Sequence, residues 1–257
     1  MCADEVRIDT VSDRAAGGRT VDGRRTWALL AIAGFVAALL PMVYLHLETS
    51  GQLNPVKHTI SDYVFAKQGS RYFDTSLVAL TIGSIALMVG LAGVGIIRGA
   101  VLTVLVSVWC LGLAVALVFP TDPTDGVQSI SGAVHRWAAI FFFPCLSAAG
   151  FLLARRCQLT QGWERFAPVV LRLAMTSTIV LGTFALIQLA INEPEMLPFL
   201  GFMKNYLGLA ERILFGIDMA LLFVLGAALW RGAAVDARKD GVREGREATG
   251  LVEGGAR

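Results

Sequence analysis

Six stretches of this sequence are each long and apolar enough to cross a bilayer, and nothing else in it restricts the fold so strongly. A helix needs about 20 largely apolar residues to cross a hydrocarbon core about 30 Å thick at about 1.5 Å per residue. The stretches run from Trp27 to His46, Ser76 to Ile97, Ala100 to Phe119, Val134 to Ala154, Pro168 to Ile191 and Leu207 to Trp230. Hydrocarbon offers no partner to backbone N–H and C=O groups, so each stretch is predicted to be a helix that satisfies its own. The expected fold class is an all-α integral membrane protein, a six-transmembrane-helix bundle over residues 26–231. Composition agrees: 55% of the 257 residues are hydrophobic and 16% charged, more apolar surface than one water-soluble core of this size conceals. The excess is expected to face the lipid bilayer, in a multi-pass protein of the cell membrane.

Orientation follows from Lys and Arg, which collect in cytoplasmic loops. With both termini inside, 16 basic residues fall on the inner side and 6 on the outer. N and C termini are therefore predicted to be cytoplasmic. Arg24-Arg25 before the first stretch reads as a basic flank rather than an export signal, because the apolar run after it is longer than a signal peptide uses. The tails, 1–25 and 232–257, hold Gly, Ala and charges of both signs with few large apolar side chains, and are expected to be disordered. Net charge is only +2 and the basic residues are dispersed, which argues against a nucleic-acid partner. Arg outnumbers Lys 18 to 4, a bias suggesting a GC-rich bacterial source. Cys2, Cys110, Cys145 and Cys157 all fall in segments assigned to the membrane or the inner side, so no disulfide framework is expected.

The polar residues are distributed unevenly. All three histidines lie at or beyond the outer ends of the stretches: His46 closes the first, His58 follows in a loop, and His135 opens the fourth. Asp62, Asp74, Asp122, Asp125, Glu193, Glu195 and Glu211 share that side, whereas Glu164 is the one acid between stretches on the inner side. Acid–base or metal chemistry is thus expected near the outer leaflet.

In residues 54–69, Ile60, Tyr63 and Val64 recur at helical spacing after the Asn54-Pro55 turn, predicting a short surface helix that aims Ser61 and Asp62 toward the bundle; a merely solvated polar face remains the alternative. In residues 119–136, Pro120 and Pro123 stop the third helix, hold Asp122 in a turn, and Ser129 or Ser131 can cap the helix bearing His135. In the last stretch, Glu211 and Asp218 are seven residues apart, on one face and about 10 Å apart along the axis. An acid inside a spanning helix normally faces the bundle interior and marks function. Arg212 and Gln188 are candidate partners for Asp218, and a purely structural hydrogen-bonding role is the competing reading.

These segments resemble the DUF998 family of bacterial membrane proteins. The likeness lies in His58-Thr59-Ile60-Ser61, in Phe119 to Pro123 followed by Gly132 and His135, and in Gly208 to Arg212. It implies a six-helix fold and no established activity. Asp62-Tyr63 and Asp218 depart from the pattern.

No HExxH, HxxxH, GxSG or CxxC motif and no set of mid-membrane histidines is present, which disfavours standard intramembrane proteases, redox dithiols and cytochromes. One reading is a membrane-embedded enzyme using His58, Ser61, Asp62, Asp122, His135, Glu211, Arg212 and Asp218 on a small or lipid-like substrate, by rearrangement, group transfer or hydrolysis, including bond formation at an amine in a biosynthetic pathway. A divalent metal held by His58, Asp122 and His135 is one form of that reading. The others are a small permease with Asp218 and Glu211 as a proton relay, and an accessory or sensor protein. A homo-oligomer is compatible with each.

Overall fold

A computed structural model describes residues 3–49, 51–123, 127–192, 195–196 and 198–254, with side chains described within them from 23 to 232. Asp125 and Glu193 lie outside the described residues. The six long helices are α1 (Ala3–Glu48), α2 (Gly69–Gly93), α3 (Ala100–Val118), α4 (Ile130–Gln158), α5 (Ala167–Asn192) and α6 (Leu207–Gly254), with no strand among the described residues. Each contains a segment long and apolar enough to span a membrane. The expected all-helical, six-span fold is what the chain adopts.

The boundaries differ instructively from those expected. α2 begins at Gly69, seven residues before Ser76, and ends at Gly93, four before Ile97. Gly95, at φ 73°, turns the chain out of the helix, and Ile96 N–H donates back to the Leu91 carbonyl at 3.0 Å, the closure that left-handed glycines give a helix end. α4 gains a turn at its start because Ser129 Oγ accepts the Gly132 N–H, and Arg155 and Arg156 suit the negative end of its dipole in its last turn. α1 and α6 continue as helix into the tails for which composition predicts disorder. Ala, Glu and Arg are good helix formers, and lengthening an existing helix avoids the cost of nucleation.

The helices pack in chain order, each on its neighbours, and α6 closes the ring against α1. Ala31, Phe35, Leu80, Trp109, Leu146, Leu153, Leu214 and Leu221 are among the buried side chains of one continuous core. Outward faces stay apolar: Val101, Leu111, Val118 and Ile179 are each more than 60% exposed, and only 22% of the most apolar window of α5 is buried. A surface of that kind needs hydrocarbon, not water, around it. Polar bonds between helices are few and specific. Trp109 Nε1 donates to Ser84 Oγ at 3.0 Å, joining α3 to α2.

Asp218 is fully buried. Its partner is neither Arg212 nor Gln188, as the sequence suggests, but Ser177 of α5, whose hydroxyl donates to Asp218 Oδ1 at 2.7 Å. Ser177 Oγ in turn lies 2.7 Å from Ser147 Oγ of α4. Arg212 sits nearly two turns away and is committed elsewhere, so a hydroxyl from the facing helix meets the carboxylate. A small polar chain linking α4, α5 and α6 is the form interhelical glue takes in membranes. Asp218 Oδ2 has no partner.

Candidate functional site

The connections α1–α2, α3–α4 and α5–α6 gather at one end of the bundle. The first is tied down from α6. Arg212 donates four hydrogen bonds: to the carbonyls of Pro55 (2.8 Å), His58 (2.6 Å) and Gly208 (3.0 Å), and to Tyr63 Oη (2.9 Å). Tyr63 Oη, which accepts from Arg212, also lies 2.7 Å from His46 Nδ1. Glu211, the preceding residue, accepts the Ile60 N–H on Oε2 at 2.6 Å. The His58 carbonyl comes so close to Gly208 that a Cβ there would collide with it. Gly208 and Arg212 therefore form one receptor, a gap and a cation one turn apart, for the carbonyl of His58.

Within that connection, residues Ser61–Phe65 form a 3₁₀ turn, the short surface helix anticipated from Ile60, Tyr63 and Val64. Asp62 is buried and accepts the Thr59 N–H (2.8 Å) and hydroxyl (3.0 Å) on Oδ2. The His58 ring turns back on its own loop, with Nδ1 3.1 Å from Asn54 N. Asp62 and His58 thus shape the connection, and it is Ser61 that faces the interior.

The second connection is a lock between α3 and α4. Asp122 accepts the Ser129 N–H on Oδ2 and the Ser129 hydroxyl on Oδ1, both at 2.7 Å. Ser131 Oγ donates to the Pro120 carbonyl at 2.9 Å. A side chain at residue 132 would run into the Asp122 carboxylate, which accounts for Gly132. His135 Nδ1 lies 3.0 Å from the Phe119 carbonyl and 3.2 Å from that of Ala116, at the end of α3. Carbonyls only accept, so Nδ1 carries the proton, and in the neutral ring Nε2 is left as the acceptor.

Donation from the Ser129 backbone, and then from its hydroxyl, holds the Asp122 carboxyl below its ordinary value of 3.8. A depressed carboxylate stabilises the fold above its unfolded value and loses that contribution as pH falls through the folded one. Between about pH 5 and about pH 2, corrected hydrogen exchange over residues 127–135 is expected to quicken in the wild type. Asp122→Asn should remove this pH dependence; an identical profile in both proteins would show that Asp122 does not hold the turn.

Both connections deliver side chains to a common space. An inner chamber of about 70 Å³ is lined by Phe73, Leu80, Phe142 and Phe143 with Ser61, His135 and Glu211. An outer vestibule of about 170 Å³ is lined by Thr59, Asp122, Gln188 and Asn192 and by the same Ser61, His135 and Glu211. These three residues stand at the junction of an apolar space and a polar one. Of the eight residues marked from sequence, Ser61, His135 and Glu211 line both spaces and Asp122 the vestibule alone. His58, Asp62 and Arg212 position the loop, and Asp218 lies deeper, in the serine chain. The metal trio His58, Asp122 and His135 does not assemble: among the described residues no three His, Cys, Asp or Glu side chains gather as ligands. The reason is local, since His58 turns Nδ1 onto Asn54 and Asp122 binds Ser129, each within its own connection.

Sequence reasoning missed Tyr63 as the bridge between Arg212 and His46, and it missed the serines. Ser147 and Ser177 are small polar residues inside apolar helices, the one signal that pointed to the surroundings of Asp218. Ser76 is another: it lines the inner chamber, and its buried Oγ has no partner.

No curated protein and no solved structure matches the chain. The model of a family described as a protein of unknown function, DUF998, matches residues 31–228, a region that holds both locked connections and the chamber they enclose. The chain belongs to the DUF998 family.

Proposed function

We propose that the protein is a membrane-embedded enzyme of a bacterial cell membrane, acting by proton transfer on a small amphipathic substrate. The observation that carries this reading is the placement of Ser61, His135 and Glu211 where the apolar chamber meets the polar vestibule. An amphipathic molecule would put its apolar part among Phe73, Phe142 and Phe143 and its polar part against these three. His135 Nε2, freed by the fixed Nδ1–H, is the base that removes a proton from a substrate N–H or O–H. Glu211, with Oε2 accepting from Ile60, has Oε1 for the return of a proton. The net chemistry is redox-neutral: rearrangement, group transfer or hydrolysis, with bond formation at an amine in a biosynthetic pathway as one instance. Low dielectric at such a boundary strengthens each of these interactions.

The test is untargeted. Purified protein in nanodiscs, incubated with an extract of its host, should deplete some compounds and yield others, and Glu211→Gln should abolish the change. Flux into sealed vesicles without any chemical change, or neither, would sink the enzyme reading.

Orientation belongs to the same proposal: both termini cytoplasmic and the site in the outer leaflet. In a cysteine-free background, Ser70→Cys is expected to react with an impermeant thiol reagent on intact cells, and Gln161→Cys only after lysis. Ser70 and Gln161 are exposed at opposite ends of the bundle. Labelling of position 161 alone would reverse the topology.

A further inference from the structure

A third cavity opens on the membrane face of the bundle, between α1 and α6. It is a groove of about 270 Å³ lined by Leu39, Met42, Val43, Phe215, Gly216 and Met219, and by His46, Tyr63 and Arg212. Two features distinguish it from the surrounding lipid-facing surface. First, it is graded along its length. Arg212, His46 and Tyr63 stand at the loop end, while Gly216 and Met219 follow one and two turns deeper along α6. Polar at the level of the loops and apolar toward the midplane is the polarity of a lipid resident in that leaflet. Second, it is continuous with the proposed site, because Met42, Ile60 and Phe215 line both the groove and the inner chamber.

The chamber is small. At about 10 to 15 Å³ for each water-sized group, its 70 Å³ admits about five to seven of them. It can take the reacting part of a substrate and not a long chain. The groove, nearly four times larger, is where a chain would lie. Within the chamber, the buried Ser76 hydroxyl has no protein partner; a buried polar group in that state is costly, and a polar atom of a ligand would satisfy it.

Resting on the enzyme reading for its chemistry, we infer that the α1–α6 groove is a portal from the bilayer. Its occupant is the chain of a single-chain lipid-like amphiphile, whose polar part passes Met42, Ile60 and Phe215 to reach Ser76, His135 and Glu211. The substrate class is therefore a membrane-resident amphiphile and not a water-soluble metabolite.

Gly216 supplies the test, because a Cβ there meets nothing within 4 Å. The first carbon of a large side chain at this position therefore enters open space, and the ring beyond it is directed to occupy the groove. Gly182 of α5, equally open and outside the groove, is the control. The wild type, Gly216→Trp and Gly182→Trp would be placed in phosphatidylethanolamine–phosphatidylglycerol nanodiscs with a trace of lysophospholipid bearing a mid-chain diazirine, irradiated, and the adducts mapped by mass spectrometry. Adducts are expected on Met42, Phe215 and Met219 at about ten times the yield on Val101 and Leu111 of α3, a ratio equivalent to about 1.4 kcal/mol of preference. Gly216→Trp should abolish that excess at an unchanged melting temperature, and Gly182→Trp should preserve it. Even labelling of all lipid-facing positions, or an excess that survives Gly216→Trp, would overturn the portal, even if turnover of a host compound is intact. Enriched, Gly216-sensitive labelling without turnover would support the portal while removing the enzyme reading beneath it.

Discussion

Arg212→Met is expected to lower the melting temperature of the detergent-solubilised protein by about 6 to 12 °C and to open residues 54–63 to proteolysis. The substitution keeps the length and apolar stem of the side chain and deletes its four donated hydrogen bonds. Three backbone carbonyls and the Tyr63 oxygen then lose their donor together. Hydrogen bonds from a charged donor contribute about 1.5 to 3 kcal/mol each, but Arg212 is only half-buried, and water replaces part of what is lost. A net cost of about 3 kcal/mol is the reasonable expectation, and in a chain of this size each kilocalorie moves the midpoint about 2 to 4 °C. Arg212→Lys should fall between the two, since three of the four acceptors converge on Nη1, which one ammonium can replace, while the Nη2 bond to Tyr63 is lost. An unchanged midpoint with an intact loop in Arg212→Met would mean that the connection is held without Arg212, by its own turns, the Glu211–Ile60 bond and the Leu209–Val56 backbone bond.

His135→Asn is expected to reduce turnover by about 10² to 10⁴ while leaving the melting temperature within about 2 °C of wild type. The choice of asparagine follows from the geometry. Its amide nitrogen takes the place of Nδ1 and can donate to the carbonyls of Phe119 and Ala116, so the α3–α4 lock is kept. What disappears is Nε2, the acceptor left in the neutral ring of a residue that lines the chamber. Glu211→Gln is the matching change on α6: the amide oxygen still accepts the Ile60 N–H, and the carboxylate is lost. A stable His135→Asn protein with full turnover would confine His135 to holding the end of α3. A destabilised one with proportionate loss of activity would say the same. Only loss of activity without loss of stability assigns the ring to the chemistry.

Both predictions depend on residues that the sequence marked for a single role and the fold divided between two. Arg212 is offered by the sequence as a partner for Asp218 on the last helix. Its donors turn instead to backbone carbonyls of residues more than 150 positions earlier in the chain. Asp122 and His58 were paired with His135 as ligands because all three lie on the same side of the membrane. Sharing a side is a statement about depth, whereas ligation needs a common point, and a turn residue that can bond its own backbone usually does so first.

The sequence by itself determined the spans, their number and the depth of each polar group. Those properties depend on apolar length and on the insolubility of bare peptide groups in hydrocarbon, and both are read one residue at a time. It also placed Ser61, Glu211 and His135 at one end of the bundle, and Asp218 inside it. Only the tertiary structure decided which of them meet. Helix rotation, the ring order that brings α6 against α1, and the carbonyl that Gly208 admits are settled by packing between segments distant in the chain, and no periodicity within a single helix records its neighbour. The sequence limited most of the marked polar residues to one end of the bundle; the fold gathered Ser61, His135 and Glu211 around a chamber, set Asp122 on the vestibule, used His58, Asp62 and Arg212 to frame the loop, and left Asp218 deeper, bound to Ser177.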